Sequence, residues 1–289
     1  MSDNRLYAVT EDGIEELAVP KNISSLTNLY ASLDLGVYSA LRTYNHNKFF
    51  ELDAHLDRTE RSMVLLNWDY RLDRERFKRA LNQAVTTFPA PDARVRFDIL
   101  SWPAENLGTG SRELIALSPF KPEPKSVYTR GVGVDLVPQL VRDEPLAKTA
   151  EFAERRSKML PSRSRNHYEY LMLDKDENLL EGTLTNFWGV RSGEVWTAGE
   201  GVLEGITRKT LLDLIPTLGI PLYETAVNKK DLPYLDEAFL SGSSRAVVPV
   251  VRIAAVELGN GRPGPISRQI LRAYQAYVQE HIKPAISDQ

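Results

Sequence analysis

Polar and apolar positions alternate between two periods along the chain. A period of two runs through RLYAVTEDG (residues 5–13) and LGVYSALRTYNHNKFFEL (35–52), and the second is broken by an Asn-rich turn at Asn45–Asn47. Both predict strands folded around turns. LDAHLDRTERSMVLLN (52–67) and DRERFKRALNQAVTTF (73–88) place apolar residues three and four apart, the spacing of a helix with one buried face. ARVRFDILSW and RELIALSPF return to strand, and KPEPKSVYTRG (121–131), rich in Pro and Lys, carries neither period. The pattern therefore predicts a smaller α/β domain over 1–120, an interdomain linker over 121–131 and a larger domain over 132–289. In the latter, strand-like VGVDLVP precedes a helix around Thr149–Leu160. Strand-like YEYLMLDKDENLLEGTLTNFWGV turns near Asp176–Asn178. GITRKTLLDLIPTLG is a helix opened by Gly205, and ISRQILRAYQAYVQEHI is a closing amphipathic helix.

One position breaks the polarity pattern. In LLEGTLTNFWGV (179–190) the acid Glu181 stands inside an apolar run, followed at once by Gly182, two threonines and Asn186. A strand there buries a carboxylate, which needs a cationic or hydrogen-bonding partner.

Composition removes several partners for it. The chain has 289 residues, 42% hydrophobic and 26% charged, with a net charge of −3, which argues against nucleic acid or an anionic membrane surface. There is no cysteine, so disulfide, thiolate and Cys-ligated metal chemistry are excluded. No apolar run reaches the length of a membrane span and the first residues lack a signal-peptide pattern, so the expected location is the cytoplasm. His46, His55, His167 and His281 show no ligand spacing, and no metal site is expected. Neither a G-x-S-x-G elbow nor a glycine-rich nucleotide loop is present. The basic stretch ERRSKMLPSRSRN (154–166) reads as a solvated helix end and loop.

What remains suits a phosphorylated ligand with a basic ring. Gly205, Ile206 and Thr207 open a helix, where unpaired amides and the dipole attract an anion, although Thr207 as a simple N-cap is the plainer reading of that feature alone. FLSGSSRAVVPV ends a strand in small residues that offer hydroxyls and amides, or an ordinary loop. Arg58 in the first helix is a surface charge or a phosphate fork. A carboxylate such as Glu181 is what pyridoxal 5'-phosphate (PLP) requires, because its ring nitrogen works as an electron sink only when protonated.

LLEGTLTNFWGV resembles the E-G-x-x-[ST]-N-x-[FW] signature of the class IV, fold-type IV, PLP-dependent aminotransferases. HLDR (55–58) precedes it and GITR (205–208) and SGSS (241–244) follow, in the family's order, so that the resemblance spans about Tyr38 to Val250. It implies an α/β (α+β) fold of two domains, of the D-amino-acid aminotransferase-like architecture, with PLP in the cleft between them, in a homodimer. It also implies roles by position. Glu181 is the acid at the ring nitrogen and Arg58 the phosphate-binding arginine. Ile206 and Thr207 form the phosphate cup, Leu203 packs on the ring, and Ser243, with Ser244 beside it, contacts phosphate. Family members carry the Schiff-base lysine a little over thirty residues before the acid. Lys148 lies 33 residues upstream of Glu181 and Lys158 lies 23, which selects Lys148.

The implied reaction moves an amino group from a small-molecule donor to a 2-keto acid. Arg42 and Arg96 resemble branched-chain enzymes, as does SGSS, whose backbone would help to hold a substrate carboxylate. Tyr38, Arg42 and Arg96 are the expected substrate contacts, set against two strand-surface charges and a core tyrosine. D-Amino-acid and (R)-amine transaminases and the aminodeoxychorismate lyases are the alternatives within the family. A binding protein that kept the fold without the chemistry is the alternative outside it. Ser39 stands where the family usually carries an acid, which alters the polarity of the pocket.

Overall fold

The computed structural model describes residues 4–19, 36–160 and 167–286. The start of LDLGVYS (33–35) and the 161–166 part of the basic stretch therefore lie outside the described residues. Contacts divide the chain into two compact units. The first comprises Met1–Lys121, Ala147–Lys158 and His281–Gln289, and the second Pro122–Leu146 and Met159–Glu280. Within the segment read from sequence as a linker, Lys125–Arg130 form a short helix belonging to the second unit.

The first unit is built on β1 (Arg5–Thr10), β2 (Gly13–Leu17), β3 (Gly36–Tyr44), β4 (Lys48–Phe49), β5 (Ala93–Leu100), β6 (Glu113–Pro119) and, from the chain's end, β16 (Lys283–Pro284). They form an antiparallel sheet in the order β16-β4-β3-β5-β6-β1-β2. The β3–β4 turn has Asn45 and His46 at φ 49° and 77°, the left-handed backbone that Asn and His tolerate in a tight hairpin. Helices α1 (Leu52–Leu65) and α2 (Arg74–Thr86, capped by the Asp73 side chain accepting from the Arg76 N–H) contribute to the main core.

Val37, Leu41, Val95, Phe97, Ile99, Leu56, Phe77 and Leu81 share that core, and Phe77 meets Phe97 edge-on at 5.1 Å. Burying each such side chain contributes roughly 1.5–3 kcal/mol. A smaller cluster, Leu6, Ala8, Leu17, Leu100, Leu114 and Ala116, forms from the alternate positions. Strand alternation then sorts β3. Ser39 shares the face of Val37 and Leu41, whereas Tyr38, Ala40 and Arg42 take the other, opposite Asp98, Arg96 and Arg94 of β5.

The second unit begins with α3 (Lys125–Arg130) and holds β7 (Val132–Leu136), β8 (Glu169–Leu173), β9 (Leu179–Gly182), β10 (Asn186–Arg191), β11 (Glu194–Trp196), β12 (Leu222–Tyr223), β13 (Glu237–Gly242), β14 (Ala246–Ile253) and β15 (Val256–Glu257). Helix α4 (Ala150–Met159) belongs to the first unit through Lys158, and α5 (Ile206–Thr217) and α6 (Pro265–His281) belong to the second, α6 up to Glu280. The strand order is β12-β11-β10-β13-β14-β7-β8-β9. β9 also pairs with β10, so six strands return upon themselves in a closed circuit. The residues that pair at the closure are Glu181 and Asn186. Val134, Leu171, Leu179, Phe187, Leu240 and Val248 are among the apolar residues packed in this unit's core.

Candidate active site

In the first unit, Lys148 stands beside the open end of β3. The Tyr38 N–H donates to the Lys148 carbonyl at 3.0 Å and Thr149 makes a bridge with Val37. The Lys148 N–H donates to Ser62 Oγ at 3.2 Å, and Ser62 Oγ donates in turn to the Arg58 carbonyl at 2.8 Å. The backbone at Lys148 is thus fastened to a strand and to α1. Its Nζ lies 4.8 Å from the centre of the Tyr38 ring. Lys158, by contrast, is 73% exposed and pairs with Glu154 one helical turn away, a surface residue.

Beneath β3, Arg58 is only 4% exposed. Its Nη2 donates to Ser39 Oγ at 2.8 Å, and Ser39 Oγ lies 3.0 Å from His55 Nδ1. Arg58 Nη2, which can only donate, also lies 3.5 Å from His55 Nδ1, which favours Nδ1 as the acceptor of the Ser39 hydroxyl and the imidazole proton on Nε2. Burial pushes the His55 pKa well below its ordinary value, and the charges of Arg58 and Lys148 push the same way. His55 is therefore neutral at physiological pH. From sequence, HLDR offered only Arg58 to the site, and the structure adds Ser39 and His55 as its partners.

Tyr38 is buried at 8% exposure, with the Arg96 guanidinium 4.2 Å from its ring centre. Arg96 reaches Asp98, 0% exposed, through two bonds of 2.8 and 2.6 Å. Arg42 is paired with Asp92 at 2.7 Å and lies over the Phe120 ring at 3.6 Å. Both arginines already hold a carboxylate.

In the second unit Glu181 is 2% exposed. Asn186 Nδ2 donates to Glu181 Oε2 at 3.2 Å and to the Leu203 carbonyl at 2.9 Å, so one amide ties the acid to the chain just ahead of α5. Arg142 Nε donates to Glu181 Oε1 at 2.6 Å. Leu203, Ile206 and Thr207 are buried. Helix α5 is capped by Gly205 in extended conformation with no side-chain cap bond, so Thr207 is not the cap. Its hydroxyl lies 3.2 Å from that of Tyr274. Arg208 is buried and donates to the Ala198 carbonyl and Glu224, both at 2.8 Å, anchoring the helix start from below. Ser243 and Ser244 form a half-buried turn closed by the Arg245 N–H donating to the Gly242 carbonyl at 3.0 Å.

These groups fit a phosphorylated pyridine. A buried acid answers a ring cation, and the uncapped first turn of α5 offers amides to a phosphate. A Cβ at Gly205 would sit 2.2 Å from Asn186 Oδ1, so glycine alone permits the close approach of helix start to strand. The Thr185 hydroxyl, buried, has no hydrogen-bond partner among the described residues.

The family profile described as amino-transferase class IV matches residues 36–253, and the chain belongs to that family. It is 27% identical over 258 residues to branched-chain-amino-acid aminotransferase-like protein 1 of Arabidopsis thaliana, an alignment covering 84% of this chain. The chain spans about half the length of that relative, 46%. It is 23% identical over 265 residues to the branched-chain-amino-acid aminotransferase of Pseudomonas aeruginosa, covering 83% of each chain. A T.th. branched-chain amino acid aminotransferase, solved with pyridoxamine 5'-phosphate, superposes with a TM-score of 0.79 over 98% of both chains at 18% identity. The fold is accordingly the α/β fold of the fold-type IV enzymes, as the resemblance implied.

Proposed function

We propose that the chain is a PLP-dependent transaminase, most similar in chemistry to the branched-chain aminotransferases, moving an amino group from an amino acid to a 2-keto acid. The observation that carries this reading is Glu181. It is a carboxylate buried at the closure of a strand circuit and held by Asn186 and Arg142, in a chain of the class IV aminotransferase family.

PLP when bound supplies an electron sink for negative charge at the substrate carbon. Every other function falls to the protein. Lys148 Nζ would hold PLP covalently, and the same amine, when free, would be the base that moves the substrate's α proton. Glu181 holds a proton at the ring nitrogen, and Asn186 keeps its carboxylate oriented. Arg58, the first-turn amides at Ile206 and Thr207, and Ser243 with Ser244 bind the phosphate, and Leu203 packs on the ring. Tyr38, beneath Lys148 Nζ and against Arg96, contacts the substrate, and Arg42 and Arg96 are the further substrate contacts.

The pairing of both arginines with aspartates bears on the substrate. Guanidinium groups already neutralised by Asp92 and Asp98 offer little to a second carboxylate, which favours an apolar side chain over an acidic one. The family resemblance supports a homodimer, and a cytoplasmic location is proposed with it.

Turnover of L-leucine, L-glutamate, D-alanine and a chiral (R)-arylamine, each with and without a 2-keto acid, tests the reading. The expected result is consumption of L-leucine that requires the keto acid. Product formation without any keto acid would point to carbon–carbon lysis, and preference for D-alanine or the arylamine would transfer the chain to those branches of the family.

A further inference from the structure

Glu169, at the start of β8, is 4% exposed and has no part in the chemistry above. It touches the loop that follows Glu181 and the arginine that ends the Ser243–Ser244 turn. Its Oε1 accepts from the Leu184 N–H and from the Thr183 hydroxyl at 3.5 Å, in the loop that follows Glu181. Its Oε2 accepts from Arg245 Nη1 at 2.6 Å, at the end of the Ser243–Ser244 turn. Arg245 is itself fixed on every side. Its carbonyl accepts from the Tyr128 hydroxyl at 3.0 Å, its guanidinium lies 5.1 Å from the Tyr168 ring centre, and Glu123 is 3.7 Å from its Nε.

The two loops are neighbours. A Cβ at Gly242 would lie 3.5 Å from Thr185 Cγ2 and 3.8 Å from the Leu184 carbonyl. A Cβ at Gly182 would meet Glu169 Oε1 at 2.7 Å, so glycine at 182 is what lets the carboxylate reach the loop amide. A buried acid divided between a backbone amide of one loop and the arginine of another holds the two in a single register.

We propose that Glu169, acting through Arg245, is a positioning residue that presets the Ser243–Ser244 turn for the cofactor's phosphate. This rests on the reading of Ser243 and Ser244 as phosphate contacts. An ion pair that served stability alone would weaken all binding together or none. A device that orients the turn acts on the phosphate and spares the ring.

The test compares PLP with pyridoxal, which has the same ring and aldehyde without the phosphate. Both are titrated by absorbance into full-length cofactor-free protein, unsubstituted and as Glu169→Gln, with melting midpoints measured alongside. The expected result is that Glu169→Gln weakens PLP binding about tenfold or more while pyridoxal binding changes by less than about twofold. Arg245→Lys keeps a cation opposite Glu169 without its fork, and its loss in PLP affinity falls between the two. If Glu169→Gln does not fold, Arg245→Lys and Arg245→Gln carry the same comparison. PLP and pyridoxal affinities that fall in parallel, or that both hold in a variant that melts normally, would overturn the proposal. Failure of the unsubstituted chain to bind PLP at all would instead remove the transaminase reading on which it stands.

Discussion

Arg142 and Glu181 form a nearly buried ion pair, Nε to Oε1 at 2.6 Å, with 7% and 2% of their side chains exposed. The acid read from the sequence as the partner of a pyridine ring thus has a protein cation against it. A buried carboxylate stays ionised only with such a partner, and a protonated ring nitrogen is another group able to serve. On the proposed function, the arginine and the ring would be alternative or shared counter-charges for one acid.

Arg142→Met removes one of the two. The cofactor-free protein should then be destabilised by about 3 kcal/mol, the usual cost of stripping a partner from a buried charge. Saturating PLP should raise the melting midpoint more in the variant than in the unsubstituted chain. An equal rise in both would show that Arg142 and the ring do not share Glu181.

Gly205 is the second critical point. Alanine there puts a methyl 2.2 Å from Asn186 Oδ1, against the amide that holds both Glu181 and the Leu203 carbonyl. Overpacking of this kind costs about 1–3 kcal/mol. The expected outcome for Gly205→Ala is a lower melting midpoint together with PLP binding weakened by about tenfold. Normal PLP affinity would show that Asn186 and the start of α5 need not approach so closely.

His55 sets a pH dependence. Its folded pKa lies well below the ordinary value through burial first and then through Arg58 and Lys148, so below about pH 6.5 the unfolded chain binds a proton that the folded chain refuses. The stability is fully present above the unfolded pKa and is lost as pH falls beneath it toward the folded value. This one group contributes at most about 1.4 kcal/mol per pH unit. Ser39, Arg58 and Lys148 surround the ring in both hydrogen bonding and charge, and none relieves the penalty. Urea unfolding between pH 5 and pH 8 should show this slope, and His55→Gln should flatten it. An unchanged slope in the variant would assign the acid sensitivity elsewhere.

Local pattern carried much of this into view. Alternation in GVYSALRTY separates Ser39 from Tyr38, and LLEGTLTNFWGV holds both Glu181 and Asn186 in one short span, so acid and amide were legible together. GITR placed the start of α5 but not its lack of a side-chain cap, since Thr207 read more plainly as the cap than Gly205, and Arg208 acts there as an anchor to Ala198 and Glu224. Long-range pairings were not legible. Arg142 lies in a segment without period, 39 residues from the acid it meets, and Glu169 meets Arg245 across 76 residues. Polarity along the chain records which face is buried and says nothing about which distant charge shares it. The return of Ala147–Lys158 to the first unit is of the same kind. The backbone of Lys148 makes one bond there to the Tyr38 N–H, which any residue types make, and one to the Ser62 hydroxyl, 86 residues away.

Every role assigned to the site depends on Lys148 holding PLP. Purified protein supplemented with PLP, reduced with borohydride and digested, would carry the pyridoxyl group on one lysine identifiable by mass spectrometry. The expected result is a yellow protein before reduction, the label on Lys148 after it, and neither in Lys148→Ala. A label on Lys158 or another surface lysine, or a colourless protein that retains no PLP, would contradict it.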